Sequence, residues 1–187
     1  MMTATSFGGS ELGSSSAEYR DGIRLGFFLA QHGYTVRCGG YYGLMAAVAR
    51  GVEEAGGVCL GITLSSFDPK VANSFVSKEQ KEADIYDRLR SLIEGSQLFI
   101  VQRGSLGTLS ELFLVWCLLY TGTLKDTPIC LIGDCWGPIL DSLRSLAVRP
   151  EEFRHTEVFG DVDEFFQSHG RLRDLIRCGR GPSDHSI

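Results

Sequence analysis

The chain has 187 residues, of which 43% are hydrophobic and 22% charged, a size and balance that fit one domain with a full core and exclude a disordered or fibrous protein. Its net charge of −5 excludes nucleic-acid or anionic-membrane binding through clustered basic residues, so any phosphate ligand must be held locally. The cysteines Cys38, Cys59, Cys117, Cys130, Cys135 and Cys178 form no C-x-x-C pair, and several sit in apolar runs where cysteine acts as a small hydrophobe. They read as reduced thiols of a cytoplasmic protein. No apolar run approaches the roughly 18 residues of a membrane span, and no basic-then-apolar leader pattern opens the chain.

In chain order, strand-like and helix-like patterns alternate, the mark of a parallel sheet with helices on both faces. A first strand around Thr3 to Phe7 meets the glycine turn Gly8-Gly9-Ser10, and a helical pattern runs from about Ala17 to Gln31. Tyr34 to Cys38 is a second strand, ending at Gly39-Gly40. The next helix carries Leu44, Met45, Val48, Ala49 and Val52 on one side and stops at Gly56-Gly57. Val58 to Ile62 is a third, apolar strand. The polar stretch from Thr63 to Ala83 is long enough to be a functional loop, or else a surface excursion.

A helix from about Asp84 to Glu94 leads to a fourth strand, Leu98 to Val101. The next helix, Leu109 to about Tyr120, is apolar around its whole circumference and must be covered on every side. One face can lie on the sheet, and a symmetric second copy is expected on the other, giving a homodimer. A fifth strand, Pro128 to Ile132, a helix beginning near Pro138, and a last strand and helix near Glu157 to Phe159 and from Val162 complete the pattern. The expected organisation is one domain over 1–178 with a flexible tail over 179–187.

The segment Arg103-Gly104-Ser105-Leu106-Gly107-Thr108-Leu109-Ser110-Glu111 joins the fourth strand to the apolar helix. It has two readings. Glycines let the backbone approach a phosphate, and the first free N–H groups of a helix, at the positive end of its dipole, point at a bound anion, with Glu111 one turn in facing the ligand. Alternatively, Thr108-x-x-Glu111 has capping-box spacing and only satisfies backbone N–H groups. The turns Gly8-Gly9-Ser10 and Gly39-Gly40 with Gly43 would lie on the same carboxyl edge of the sheet, so the three together predict a nucleotide-sized crevice. Neither a dinucleotide G-x-G-x-x-G nor a Walker-type G-K-[ST] is present.

These residues resemble the LONELY GUY (LOG) family of lysine-decarboxylase-like proteins, which includes cytokinin-activating and nucleotide phosphoribohydrolases. Arg103 to Glu111 is similar to the family's P-G-G-x-G-T-x-x-E, Cys38 to Ala46 to its G-G-G-x-x-G-L-M-G, and Phe7 to Ser10 to its F-C-G-S. Arg88 stands at the position of the family's helix arginine. The resemblance implies an α/β Rossmann-like fold that hydrolyses the N-glycosidic bond of a nucleoside 5'-monophosphate, releasing free base and ribose 5-phosphate. It also implies catalytic roles for Arg88 and Glu111, phosphate contacts from Gly104, Ser105, Gly107 and Thr108, and a nucleotide crevice lined by Gly9, Ser10, Gly39, Gly40, Gly43 and Met45. No metal or cofactor is assigned, because His32, His155, His169 and His185 form no triad or metal spacing. A non-hydrolytic nucleotide or molybdenum-cofactor carrier on the same fold is the alternative.

The chain departs from that pattern at Arg103 and Ser105, which replace proline and glycine. It also has Leu89 where a lysine usually follows the arginine, and Cys38 and Ala46 in place of two motif glycines. Ser105 is expected either to redirect the loop, if the position needs positive φ, or to donate its hydroxyl to phosphate. Arg103 either binds phosphate or points away. Tyr42 and Trp116 are candidates for stacking on a base, against a role in core or interface.

Overall fold

The expected alternation is present in the computed structural model, which describes residues 2–146 and 149–178. The tail expected over 179–187 lies outside the described residues. In order, the elements are β1 (Met2–Phe7), α1 (Ala17–Gln31), β2 (Tyr34–Cys38), α2 (Leu44–Glu54), β3 (Cys59–Leu64), β4 (Lys78–Glu82), α3 (Ile85–Ile93), β5 (Leu98–Val101), α4 (Leu106–Tyr120), β6 (Ile129–Ile132), α5 (Trp136–Arg144), β7 (Thr156–Phe159) and α6 (Val162–Cys178). The strands form one parallel sheet in the order β4-β3-β2-β1-β5-β6-β7.

Strand side chains alternate between two cores, one on each face of the sheet. Leu98, Ile100, Cys130 and Ile132 join a cluster with Leu25 and Leu29 of α1, Val48 and Val52 of α2, and Phe165 and Leu172 of α6. Phe99, Val101, Ile129 and Leu131 join the other, with Leu92 of α3, Leu112 and Val115 of α4, and Trp136 and Leu140 of α5. Helices α1 and α2 meet backbone to backbone: a Cβ on Gly26 would stand 2.0 Å from the Val48 carbonyl oxygen, and one on Gly51 1.9 Å from that of Ile23. Only glycine fits at these two crossings.

Two expectations are corrected. The stretch from Thr63 to Ala83 contains a strand, β4, which pairs with β3 from Leu60↔Lys78 to Leu64↔Glu82. Its sequence, Lys-Glu-Gln-Lys-Glu, has no apolar signature because β4 is a solvated edge, and lysines there discourage further strand addition. Helix α4 begins at Leu106, not Leu109, with Ser105 as its N-cap residue. Thr108 is therefore inside the helix, and the capping-box reading of Thr108 and Glu111 does not hold.

The direction of chain crossover reverses between β1 and β5: β2, β3 and β4 extend to one side and β6 and β7 to the other. Ligands of open α/β sheets bind at such a point, beyond the carboxyl ends of the strands. Among the described residues, no helix is long and apolar enough to cross a membrane.

Candidate functional site

The three glycine turns meet at the switch point and are hydrogen-bonded to one another through Gly9. Its N–H donates to the Arg103 carbonyl at 3.0 Å, and its own carbonyl accepts from the Leu44 N–H at 2.9 Å. The turns touch because they lack side chains: a Cβ on Gly9 would lie 3.1 Å from the Gly104 Cα, and one on Gly43, at φ +64°, would lie 2.4 Å from the Gly9 carbonyl oxygen. Gly104 in turn lies against Thr108, whose Oγ1 would be 2.1 Å from any added Cβ.

Beside these turns opens a cavity of about 220 Å³. Gly9, Ser10, Met45, Arg88, Ser105, Gly107, Thr108 and Glu111 line it, so eight of the twelve residues named from sequence converge on one space. The other four frame it. Gly39 makes room for Arg88, whose Nη2 would be 2.4 Å from a Cβ there, and Gly40, at φ +80°, abuts Gly61 and Thr63 of β3. Gly43 and Gly104 hold the turns together as described.

Arg88 and Glu111 are both buried, at 8% and 9% exposure. Such burial of an arginine requires fixed partners. Asp84 caps α3 through the N–H groups of Tyr86 and Asp87, which sets the helix so that Arg88 faces inward. Its Nε donates to the Ile62 carbonyl at 2.9 Å and its Nη2 to the Gly39 carbonyl at 3.4 Å. The remaining nitrogen, Nη1, stands 3.7 Å from Glu111 Oε1, an ion pair too long for a hydrogen bond. Burial raises the Glu111 carboxyl to about 7, and Arg88 opposes that shift only in part.

The altered loop residues are resolved by geometry. Ser105 is extended, at φ −103° and ψ −157°, so the position needs no glycine and the loop path accommodates a side chain. Its hydroxyl makes no cap hydrogen bond to α4. Arg103 is exposed and turned away from the cavity, with Nη1 3.4 Å from Glu18 Oε1. Trp116 belongs to the core, where its Nε1 donates to the Glu152 carbonyl at 2.5 Å and its ring meets Phe153 edge-on.

Sequence reasoning missed Tyr41, Phe67, Lys70 and Ile85, which also line the cavity. Tyr41, not Tyr42, is the ring beside Arg88, 6.0 Å from its guanidinium carbon. Phe67 and Lys70 come from the stretch after β3, which no motif marks. Asn73 clips this stretch down, donating through Nδ2 to the carbonyls of Gly40 and Tyr41 at 3.0 and 2.7 Å.

The model of the SLOG cluster4 family matches residues 2–124, a segment that contains every residue of this cavity. The chain belongs to the SLOG cluster4 family. Among the curated relatives of this family member, the cytokinin riboside 5'-monophosphate phosphoribohydrolase of Mycobacterium tuberculosis is 33% identical over 65% of this chain and 64% of its own length. The cytokinin riboside 5'-monophosphate phosphoribohydrolase LOG5 of Arabidopsis thaliana is 34% identical over 51% of this chain and 42% of its own length. The matched region thus spans less than two thirds of these relatives, and it bears out the resemblance carried by the glycine motifs. Among solved structures, the molybdenum cofactor binding protein of Rippkaea orientalis shares the fold at a TM-score of 0.70 and 18% identity, covering 92% of this chain and 96% of that one. The molybdenum cofactor carrier protein of Chlamydomonas reinhardtii does so at 0.67 and 19%, covering 93% and 99%.

Proposed function

We propose that this protein is a metal-independent hydrolase that cleaves the N-glycosidic bond of a nucleoside 5'-monophosphate. The observation that carries the reading is the buried Arg88 and Glu111 pair inside the switch-point cavity. In this reading the phosphate rests on Gly104, Ser105, Gly107 and Thr108 at the N-terminus of α4, where Ser105 leaves the helix without a side-chain cap. The ribose lies against Gly9, Ser10 and Met45, with Gly39, Gly40 and Gly43 giving the crevice its shape.

The C1'–N bond breaks with its electron pair leaving on the base, and the ribose gains oxocarbenium character. The Glu111 carboxylate stabilises that positive charge and takes a proton from the attacking water, whose oxygen bonds to C1'; the proton passes to the departing base. Arg88, held by two carbonyls, supports negative charge on the departing base without reorganising. A carboxyl titrating near 7 suits this work, being ionised at mildly alkaline pH yet basic enough to accept a proton.

The names of the curated relatives make an isoprenoid-modified adenosine monophosphate the first substrate to test, and Phe67, Ile85 and Leu89 give the cavity an apolar wall suited to such a group. The decisive experiment incubates the protein with AMP, CMP and isoprenoid-modified AMP and measures free base and ribose 5-phosphate. Release of both in equal amounts supports the hydrolase. Nucleotide binding with no release from any of the three favours a carrier, the reading that Leu89 in the lysine position supports.

We also propose a cytoplasmic homodimer through Leu109 to Tyr120 of α4. Phe113 and Tyr120 on this helix are 40% and 49% exposed, apolar surface that a second copy would cover. Light scattering at micromolar concentration reads a dimer mass if this is so and a monomer mass if it is not.

A further inference from the structure

We infer that Lys70, on the wall of the switch-point cavity, is the cation that holds the ligand's phosphate. The inference rests on the nucleotide reading above and adds to it a binding residue that lies outside the glycine motifs. A phosphate monoester carries about −1.5 to −2 charges near neutrality, whereas a helix N-terminus offers only about +0.5. A chain with net charge −5 has no general positive field to make up the difference.

The other basic residues near the site are committed elsewhere. Arg88 spends two of its nitrogens on the Ile62 and Gly39 carbonyls and faces Glu111 with the third. Arg103 points out to Glu18. Lys70 lines the cavity and makes no ion pair among the described residues. The acid nearest to it in sequence, Asp68, is taken by Lys81 at 2.7 Å. With no carboxylate to bind, the Lys70 ammonium rests over Tyr41, 4.7 Å from the ring centre, and 5.8 Å from that of Tyr42.

The backbone beneath it is fixed. The Lys70 N–H donates to the Phe67 carbonyl at 2.9 Å, and Asn73 anchors the following residues to Gly40 and Tyr41. The Tyr41 ring is also pinned, since its hydroxyl accepts from the Leu64 N–H at 2.9 Å. The result is a cation parked on an aromatic ring at the cavity wall. An exposed ammonium–ring contact is worth only about 0.5–1 kcal/mol, so it yields readily to a charge-assisted bond with phosphate.

Titration calorimetry with ribose 5-phosphate tests this on the whole protein. Lys70→Ala weakens binding about tenfold or more, the size of a lost hydrogen bond to a charged group. Lys70→Arg, which keeps the charge, stays within about threefold, and the wild-type affinity falls with added salt more steeply than that of Lys70→Ala. Lys70→Ala within twofold of wild type, or a wild-type protein that does not bind ribose 5-phosphate, overturns the inference. The two readings can fail separately. Lys70-dependent binding without base release from any nucleotide removes the hydrolase and leaves Lys70 in place, whereas base release with an unchanged KM in Lys70→Ala does the reverse.

Discussion

Two of the crevices along the carboxyl edge of the sheet hold their charges in opposite ways. One, about 290 Å³, is lined by Glu18 and Asp21 of α1 and by Arg103, Asp134 and Asp161 just beyond β5, β6 and β7. Its charges stand in water: Arg103 and Glu18 keep 65% and 40% of their side-chain surface exposed. The smaller cavity holds Arg88 and Glu111 out of water, at side-chain exposures of 10% and 11%. An ion pair at about 4 Å is worth about 1 kcal/mol in bulk water and about 4 kcal/mol at an effective dielectric near 20. What sets the proposed site apart is therefore not volume but desolvated charge, with the arginine held by backbone carbonyls.

Substitutions on the two sides of this comparison should behave differently. Glu111→Gln, nearly isosteric, is expected to lower kcat for base release by about a thousandfold while the circular dichroism spectrum is unchanged, because the variant can neither take a proton nor balance the oxocarbenium charge. Arg88→Met is expected to cost about a hundredfold and to raise the pH at which its residual activity appears, since removing the cation leaves desolvation of Glu111 unopposed.

For the wild type, kcat/KM should rise with pH and level off above about 7. Protonation removes the active carboxylate, so the rate falls about tenfold per pH unit below that value. The smallest effect is expected in the other crevice, where Arg103→Ala should leave kcat/KM within about twofold. A large loss there would mean that the phosphate reaches Arg103 and would collapse the distinction between the two crevices.

The parts of the molecule that were legible in the sequence are those where the backbone imposes a period or demands a glycine. The strand–helix alternation follows from paired cores such as Phe99 and Ile100, which face opposite sides of the sheet. The three turns follow from glycines whose added Cβ atoms would collide with a neighbouring turn. The strand β4 was not legible, because an edge strand held by backbone pairing to β3 alone needs no apolar residues. The burial of Arg88 could be reached only through the resemblance to a family, since its partners at Ile62 and Gly39 are carbonyls, which leave no trace in side-chain pattern. The cap spacing of Thr108 and Glu111 points to a helix start one turn late, whereas the chain enters α4 at Ser105 in an extended conformation. Lys70 and Phe67 sit in a stretch with no periodicity, held at the site by contacts such as the Asn73 clip and the Tyr41 ring that no sequence pattern marks.

The most direct test of the account is the titration of Glu111 itself, followed through its side-chain carboxyl carbon by NMR in the ligand-free protein and identified by its loss in Glu111→Gln. Burial beside a distant rather than hydrogen-bonded arginine predicts a midpoint near 7. A midpoint near the ordinary carboxylate value of about 4.3 would show a solvated or tightly paired glutamate, and would contradict the claim that this cavity is built around a desolvated, reactive carboxyl.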